Sequence, residues 1–260
     1  MANFSLTVVV PVYRIPDWQF KAALDSLINQ TLTDFIVFFV FSENSDFSNV
    51  QIIKEFYTGP YKILTAKESG LGNALFFAFS QIDSKYVARF DADDVSLPAR
   101  FQLQIDFLEN NSDYSVCGSQ ISVINHNSEV IGRRNYPCSN KKIRNAFNWS
   151  SPLAHPAITF RSCVFKKFNY CPGLNFAEDL DLFLRLRNNG CKFYNLPYTL
   201  LLYREVEKFR TLKHRLLNLF VRVRNFHYFN DLFAIALSLS VLFLPKRVFL
   251  VFKNILYEDY

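Results

Sequence analysis

The chain has 260 residues, 50% of them hydrophobic and 17% aromatic, a net charge of +6, and only 7 Gly, the first at Gly59. That length accommodates one large α/β domain with a short appendage. The late first glycine excludes a GxGxxG or Walker loop at the N-terminus, where dinucleotide and P-loop folds carry theirs.

Cys117, Cys138, Cys163, Cys171 and Cys191 are scattered with no CxxC pair, and the His residues do not fall at ligand spacing. Free thiols in a reducing compartment are expected, not a disulfide framework or a zinc site. The N-terminus enters a β-type run without a secretory pattern, so a cytoplasmic protein is expected. Residues 205–260 hold nine Lys and Arg against five Asp and Glu, which is +4 of the total +6. Basic charge among apolar residues suits the inner, anionic membrane surface, and no nucleic-acid partner is expected.

Residues 6–12 form an apolar run, the pattern of a buried parallel strand. Trp18 to Ile28 has helical spacing, with Trp18, Ala22, Leu24, Leu27 and Ile28 as its apolar positions. Phe35 to Phe41 predicts a second strand, ending in the polar turn Ser42 to Asp46. Val50 to Phe56 predicts a helix and Tyr61 to Leu64 a third strand. Lys67-Glu68-Ser69-Gly70-Leu71-Gly72-Asn73 then turns into a helix that runs to Ser80. Tyr86 to Phe90 is the fourth strand. This alternation predicts a mainly parallel sheet flanked by helices. Function in such sheets gathers at the carboxyl ends of the strands, here Tyr13-Arg14, Ser42 to Asp46 and Asp91 to Asp94.

Ser96-Leu97-Pro98 predicts the start of a helix through Leu108, with Leu97, Phe101, Ile105 and Leu108 on one face. Strands are expected near Val116 to Ile124 and Glu129 to Arg133. Glu178 to Arg187 is a helix stopped by Asn188-Asn189-Gly190. Val206, Phe209, Leu212, Leu216, Phe220 and Val223 then recur at helical spacing among Lys208, Lys213, Arg215, Arg222 and Arg224. Leu232 to Leu244 is a 13-residue apolar run broken by Pro245. Crossing a bilayer takes about 20 apolar residues, so this run reads as interfacial or buried.

Two acidic clusters carry the chemistry. Asp91 and Asp93, two residues apart after a strand, can point into one crevice, and carboxylates are the hard ligands that Mg²⁺ or Mn²⁺ prefers. Such a cation neutralises a departing diphosphate; a plain reading of the same turn is a solvated cap on the next helix. Glu178-Asp179 heads a helix, where acids are favoured by the macrodipole alone. The alternative makes Asp179 a general base for an acceptor hydroxyl, with Glu178 beside it. Ser42 to Asp46 offers ribose or base contacts, or an ordinary turn. His155 touches an acceptor or metal, or is a structural histidine. Lys67 and Arg89 offset phosphate charge, or are surface cations. Tyr203-Arg204 is placed to reach back to a diphosphate.

Four segments in this order resemble the family-2 glycosyltransferases of GT-A fold, particularly those that build bacterial surface polysaccharides. They are Val8-Val9-Val10-Pro11-Val12-Tyr13-Arg14, Glu68-Ser69-Gly70-Leu71-Gly72-Asn73-Ala74, Phe90-Asp91-Ala92-Asp93-Asp94 and Glu178-Asp179-Leu180-Asp181-Leu182. The resemblance runs from about Leu6 to Arg204. It implies a GT-A (Rossmann-like) domain over residues 1–204, with a nucleotide-binding half to about 95, an acceptor half over 96–204, and a helical tail over 205–260. It implies an inverting transfer from a nucleotide-sugar donor, for instance a UDP-sugar, to a glycan or lipid-linked hydroxyl. By that likeness Asp93 ligates the divalent metal and Asp91 assists at metal or ribose. Asp179 is the base, and Pro11, Tyr13 and the Glu43 region hold the nucleoside. The family's Asp-Asp-Gly-Ser-Thr-Asp after the second strand is here Phe41-Ser42-Glu43-Asn44-Ser45-Asp46, so Ser42 or Glu43 stands where an Asp usually contacts the base. Three other readings stay open: a sugar-phosphate nucleotidyltransferase, a glycoside hydrolase with its two carboxylates, and a degraded transferase that only binds.

Overall fold

The first apolar run is buried because it becomes the middle of a sheet. In a computed structural model, which describes residues 4–43, 45, 47–205, 211–228 and 231–243, strand β1 (Leu6–Pro11) pairs in parallel with β2 (Phe35–Ser42) on one side and β4 (Tyr86–Arg89) on the other. Strand β3 (Tyr61–Ala66) extends the sheet in parallel beyond β2. The chain thus reverses direction across the sheet between β1 and β4, a topological switch point that opens a crevice at the carboxyl ends.

Side chains alternate across this sheet and divide the core in two. Val8, Val10, Phe39 and Phe41 pack with helices α1 (Asp17–Ile28), α2 (Ser48–Phe56) and α4 (Arg100–Asn110). Val9, Val40 and Val87 pack with α3 (Leu71–Ser80), α5 (Asn140–Ala146) and α6 (Glu178–Asn188). Helix α1 buries Phe20, Ala23, Leu24 and Leu27. Trp18 and Ile28, expected on that face, are exposed; the helix is rotated so that Phe20 and Ala23 enter the core instead.

The second half extends the sheet with strands of both directions. These are β5 (Val95–Ser96), β6 (Tyr114–Ile124), β7 (Val130–Arg134), β8 (Thr159–Arg161) and β9 (Lys192–Arg204). The order is β3-β2-β1-β4-β8-β6-β9-β5, with β7 on β6. Strand β8 runs antiparallel between β4 and β6, while β6 and β9 are parallel. The helix expected from Ser96 begins only at Arg100. Ser96 is spent pairing with β9, Leu97 N–H donates to the Leu200 carbonyl, and the Pro98 carbonyl accepts from Thr31 N–H. All five cysteines are free thiols.

Helices α7 (Leu212–Arg224) and α8 (Asp231–Phe243) dock on α6. Arg187 of α6 pairs with Asp231 at 2.8 Å, both side chains buried. Asn225 donates to the Asp181 carboxylate at 3.0 Å, and Asn188 donates to the Asn225 carbonyl at 2.8 Å. The expected helical positions Val206 and Phe209, together with Leu244 and the chain beyond it, lie outside the described residues. No helix among the described residues is long and apolar enough to cross a membrane.

One close approach fixes the path into α6. A Cβ at Gly72 would lie 2.0 Å from the Leu174 carbonyl oxygen. Next to it, Gly173 N–H donates to Asn73 Oδ1 at 2.7 Å. The Glu68-to-Ala74 motif is therefore a seat for the loop that delivers Glu178 and Asp179. Gly72→Ala is expected to destabilise the fold by about 1–3 kcal/mol through overpacking against main chain. Gly132→Ala, where nothing lies within 4 Å of the added Cβ, should stay within about 0.5 kcal/mol of the parent. Thermal denaturation of the two variants side by side checks this.

Candidate active site

Four parallel strands end on one edge, and each is followed there by a residue singled out in the sequence. After β1 come Val12 and Tyr13; Pro11 itself is half-buried, while Tyr13 is exposed with the Arg14 guanidinium 5.3 Å from its ring centroid. Arg14 adopts φ +49°, a left-handed conformation that non-glycine residues rarely hold. After β2 comes exposed Glu43, whose N–H bonds the Ala66 carbonyl. The Ser42 N–H is taken by the Ser45 hydroxyl at 3.0 Å. Asn44 and Asp46 lie outside the described residues. After β3 comes exposed Lys67, and after β4 the turn Asp91 to Asp94. Parallel pairing alone brings Tyr13, Glu43, Lys67 and Asp91 to the same edge.

The acidic turn is gripped by three arginines. Arg89 is 3% exposed and forms an ion pair with the Asp91 carboxylate. Arg100 is fully buried and donates to the Arg89 carbonyl at 2.7 Å. Arg204, at the end of β9, gives its main-chain N–H to Asp94 Oδ1 at 2.8 Å and its Nε–H to the Asp93 carbonyl at 2.9 Å. The remaining Arg204 donors go to the Asn125 and His126 carbonyls and the Ser128 hydroxyl. Arg204 does reach the turn, as its position suggested, but its donors are spent on protein. Its guanidinium lies 4.9 Å from the Trp18 ring centroid, which accounts for Trp18 standing outside the core.

The electrostatics follow from burial. Asp94 is held well above the usual carboxylate range by its burial and by the neighbouring Asp91 and Asp93. Burial also lowers Arg100, to about 9. Burial opposes the charge of Arg89, but Asp91 more than restores it.

Helix α6 brings in the second acidic cluster. It starts after Ala177, which holds φ +60° with no side-chain cap. Strain of this kind costs about 1–3 kcal/mol and gathers at functional sites. Glu178 is buried and Asp179 half-buried, and Asp179 Oδ1 accepts the Leu180 N–H at 2.7 Å. The Glu178 carboxyl is pushed up to about 8 by burial and then by Asp179, with Asp91 adding to the rise and Arg89 opposing it. Tyr170, buried, is acted on by Arg89, Glu178 and Asp179 together. Its hydroxyl pairs with His155 Nε2 at 2.8 Å. Burial, aided by Arg89, holds His155 well below its usual range, so it is a neutral, interior histidine. The two acidic clusters thus share one electrostatic neighbourhood, linked through Arg89 and Tyr170.

Tyr170, Arg100 and Ala177 escaped the sequence reading, and Arg89 was open to reading as a surface cation. An arginine closing the otherwise apolar strand Tyr86 to Phe90 was the available signal, because such a group is rarely buried unpaired. Among the described residues no group of three or more His, Cys, Asp or Glu is placed to hold a metal by itself. The hard oxygens of half-buried Asp91 and Asp93 fit a different kind of ion, one that keeps waters and completes its shell with substrate phosphate.

A carboxyl held near 8 when folded and about 4.5 when unfolded binds its proton more tightly in the native state. Its contribution to stability is complete below the unfolded value and is lost as pH rises through the folded one. Glu178→Gln should therefore gain in melting temperature relative to the parent between about pH 5 and about pH 8.5. Melting curves in EDTA at several pH values test this; a constant difference would contradict it.

Residues 7–167 match the sequence pattern of "Glycosyl transferase family 2". The chain is 33% identical over 204 residues to the O-antigen biosynthesis glycosyltransferase WbnJ of Escherichia coli, covering 76% of this chain and 79% of that protein. Its fold matches S. aureus TarS 1–349 in complex with UDP-GlcNAc, with a TM-score of 0.68, 17% identity, and coverage of 90% of this chain and 71% of that one. It also matches the mannosyltransferase PcManGT of Pyrobaculum calidifontis in complex with GDP-Man and Mn²⁺, with a TM-score of 0.61, 16% identity, and coverage of 99% and 82%. A family pattern spanning more than half its length, on an α/β fold of the same architecture, makes this chain a member of glycosyl transferase family 2, related to enzymes of bacterial surface-polysaccharide biosynthesis.

Proposed function

We propose that the protein is an inverting glycosyltransferase that moves a sugar from a nucleoside-diphosphate donor, of the UDP-sugar type, to a hydroxyl of a glycan or lipid-linked acceptor. What supports this reading is that the Asp91 carboxylate is ion-paired to buried Arg89, and that Arg89 and Asp91 both act on the Glu178 carboxyl at the head of α6. Pro11, Tyr13, Glu43 and Lys67 border the crevice where the nucleoside and diphosphate lie. Asp93, with Asp91, holds the divalent cation, Mn²⁺ or Mg²⁺, which when bound supplies positive charge for the leaving diphosphate. Asp179 takes the proton of the acceptor hydroxyl as that oxygen bonds the anomeric carbon. The bond from that carbon to the diphosphate breaks on the opposite face, and the nucleoside diphosphate departs. Holding both substrates in line supplies much of the acceleration.

Asp179→Asn should fold, bind nucleotide as the parent does, and lose transfer by about 10²–10⁴-fold. In the parent, a nucleoside diphosphate with Mn²⁺ should raise the melting temperature, and EDTA should abolish that gain. Nucleotide-sugar turnover and melting curves, measured on both proteins, decide the point. Undiminished turnover by Asp179→Asn rejects the base assignment, and release of pyrophosphate rather than nucleoside diphosphate rejects transfer.

The same reading puts the acceptor at the inner membrane surface, and the side chains of α7 and α8 support it. Leu216, Phe220 and Val223 of α7 and Phe233 of α8 are each about half exposed or more, and Lys213, Arg215, Arg222 and Arg224 lie on α7 as well. Exposed apolar and basic side chains on one helical pair match an anionic lipid interface. The parent should co-sediment with vesicles containing phosphatidylglycerol and resist full release by high salt, whereas the Phe220→Ser/Phe233→Ser variant should be released completely. Complete absence of binding at low salt would reject the membrane assignment.

A further inference from the structure

Arg89 holds Asp91 with Nη2 alone. Its Nε and Nη1 are buried and have no hydrogen-bond partner. Unpaired buried donors of this kind are rare and call for an explanation. The ionisable groups around the guanidinium come from every element packed there: Asp91 and Asp94 from the acidic turn, Arg100 from α4, His155 and Tyr170 from the connections before α6, and Glu178 from α6 itself. Glu178 is a buried acid that has no ion pair among the described residues. A cation entering at Asp91 would sit beside a buried guanidinium, and the two positive charges repel. The arrangement is relieved if the guanidinium finds a second carboxylate as Asp91 is drawn away.

Resting on the donor-site reading above, we propose that Arg89 is a positioning residue that couples the two halves of the cleft: it holds Asp91 while the donor site is empty, and on donor loading it takes the Glu178 carboxylate with a spare N–H, steadying the start of α6 and hence Asp179. Donor occupancy is then felt at the base before any acceptor arrives. The coupling makes no bond beyond the ion pair and its hydrogen bonds, and the proton that Glu178 carries before pairing is released to solvent as its carboxylate meets the guanidinium.

The test is a double-mutant cycle of Arg89→Lys and Glu178→Gln, run by thermal denaturation with and without saturating Mn²⁺ and whichever of UDP, GDP, ADP and dTDP stabilises the parent most. Without nucleotide the two effects should add, because the residues are not yet paired. With nucleotide and Mn²⁺ they should not: the double variant should lose no more of the nucleotide-induced gain than either single one. In kinetics Arg89→Lys should lower kcat about ten-fold or more while leaving the donor KM nearly unchanged. Should Arg89→Lys fail to fold, Glu178→Gln alone must still diminish the nucleotide-induced gain. Additive effects in both states, a full gain in Glu178→Gln, or a loss confined to donor KM would overturn the coupling while leaving the transferase reading intact. A parent chain that no nucleotide stabilises would remove that reading, and this inference with it.

Discussion

The charge balance under the Asp91–Asp94 turn is the constraint on which the site depends. Three acids crowd into four residues, and one of them, Asp94, is fully buried and pushed toward its neutral form by that burial and by its neighbours. A turn of this kind survives in a protein interior only if cations are built in around it. They come from three separate places: Arg89 from within β4, Arg100 from the first turn of α4, and Arg204 from the last residue of β9. The sheet order makes this possible, since β4 is central and β9 returns beside β5 next to the turn. Both halves of the domain must therefore be folded before the acidic turn has its shape.

Much of the first half was legible in the sequence because its signals are local. Four apolar runs separated by amphipathic helices specify a parallel sheet, and parallel pairing then delivers Tyr13, Glu43, Lys67 and Asp91 to one edge without further information. The second half was less legible because its determinants are long-range. Strand β8 is three residues long and exists only because β4 and β6 both offer it an edge. Ser96-Leu97-Pro98 has the composition of a helix start, yet it pairs with β9, about a hundred residues further on. Trp18 fits a helical apolar stripe, but the indole is claimed by Arg204 from the far end of the domain.

The acidic pair at the head of α6 was visible in the sequence, and its neighbours were not. Nothing in the spacing of Gly72 and Leu174 announces that one carries the other's carbonyl, although that contact sets where the loop before α6 runs. Similarly, Tyr170 and His155 form a buried pair across a stretch with little regular structure. The chemistry of the site is thus written in a few acidic letters, while its geometry is written in glycine, arginine and aromatic residues whose roles appear only on folding.

The stacking of Arg204 on Trp18 has an optical consequence. The indole is about half exposed, and the guanidinium above it is hydrogen-bonded to the main chain of the acidic turn. Only one other tryptophan, Trp149, is present in the chain. Any rearrangement of the turn changes the charge and solvent around a nearby fluorophore, so the molecule carries a built-in spectroscopic gauge of its acidic turn.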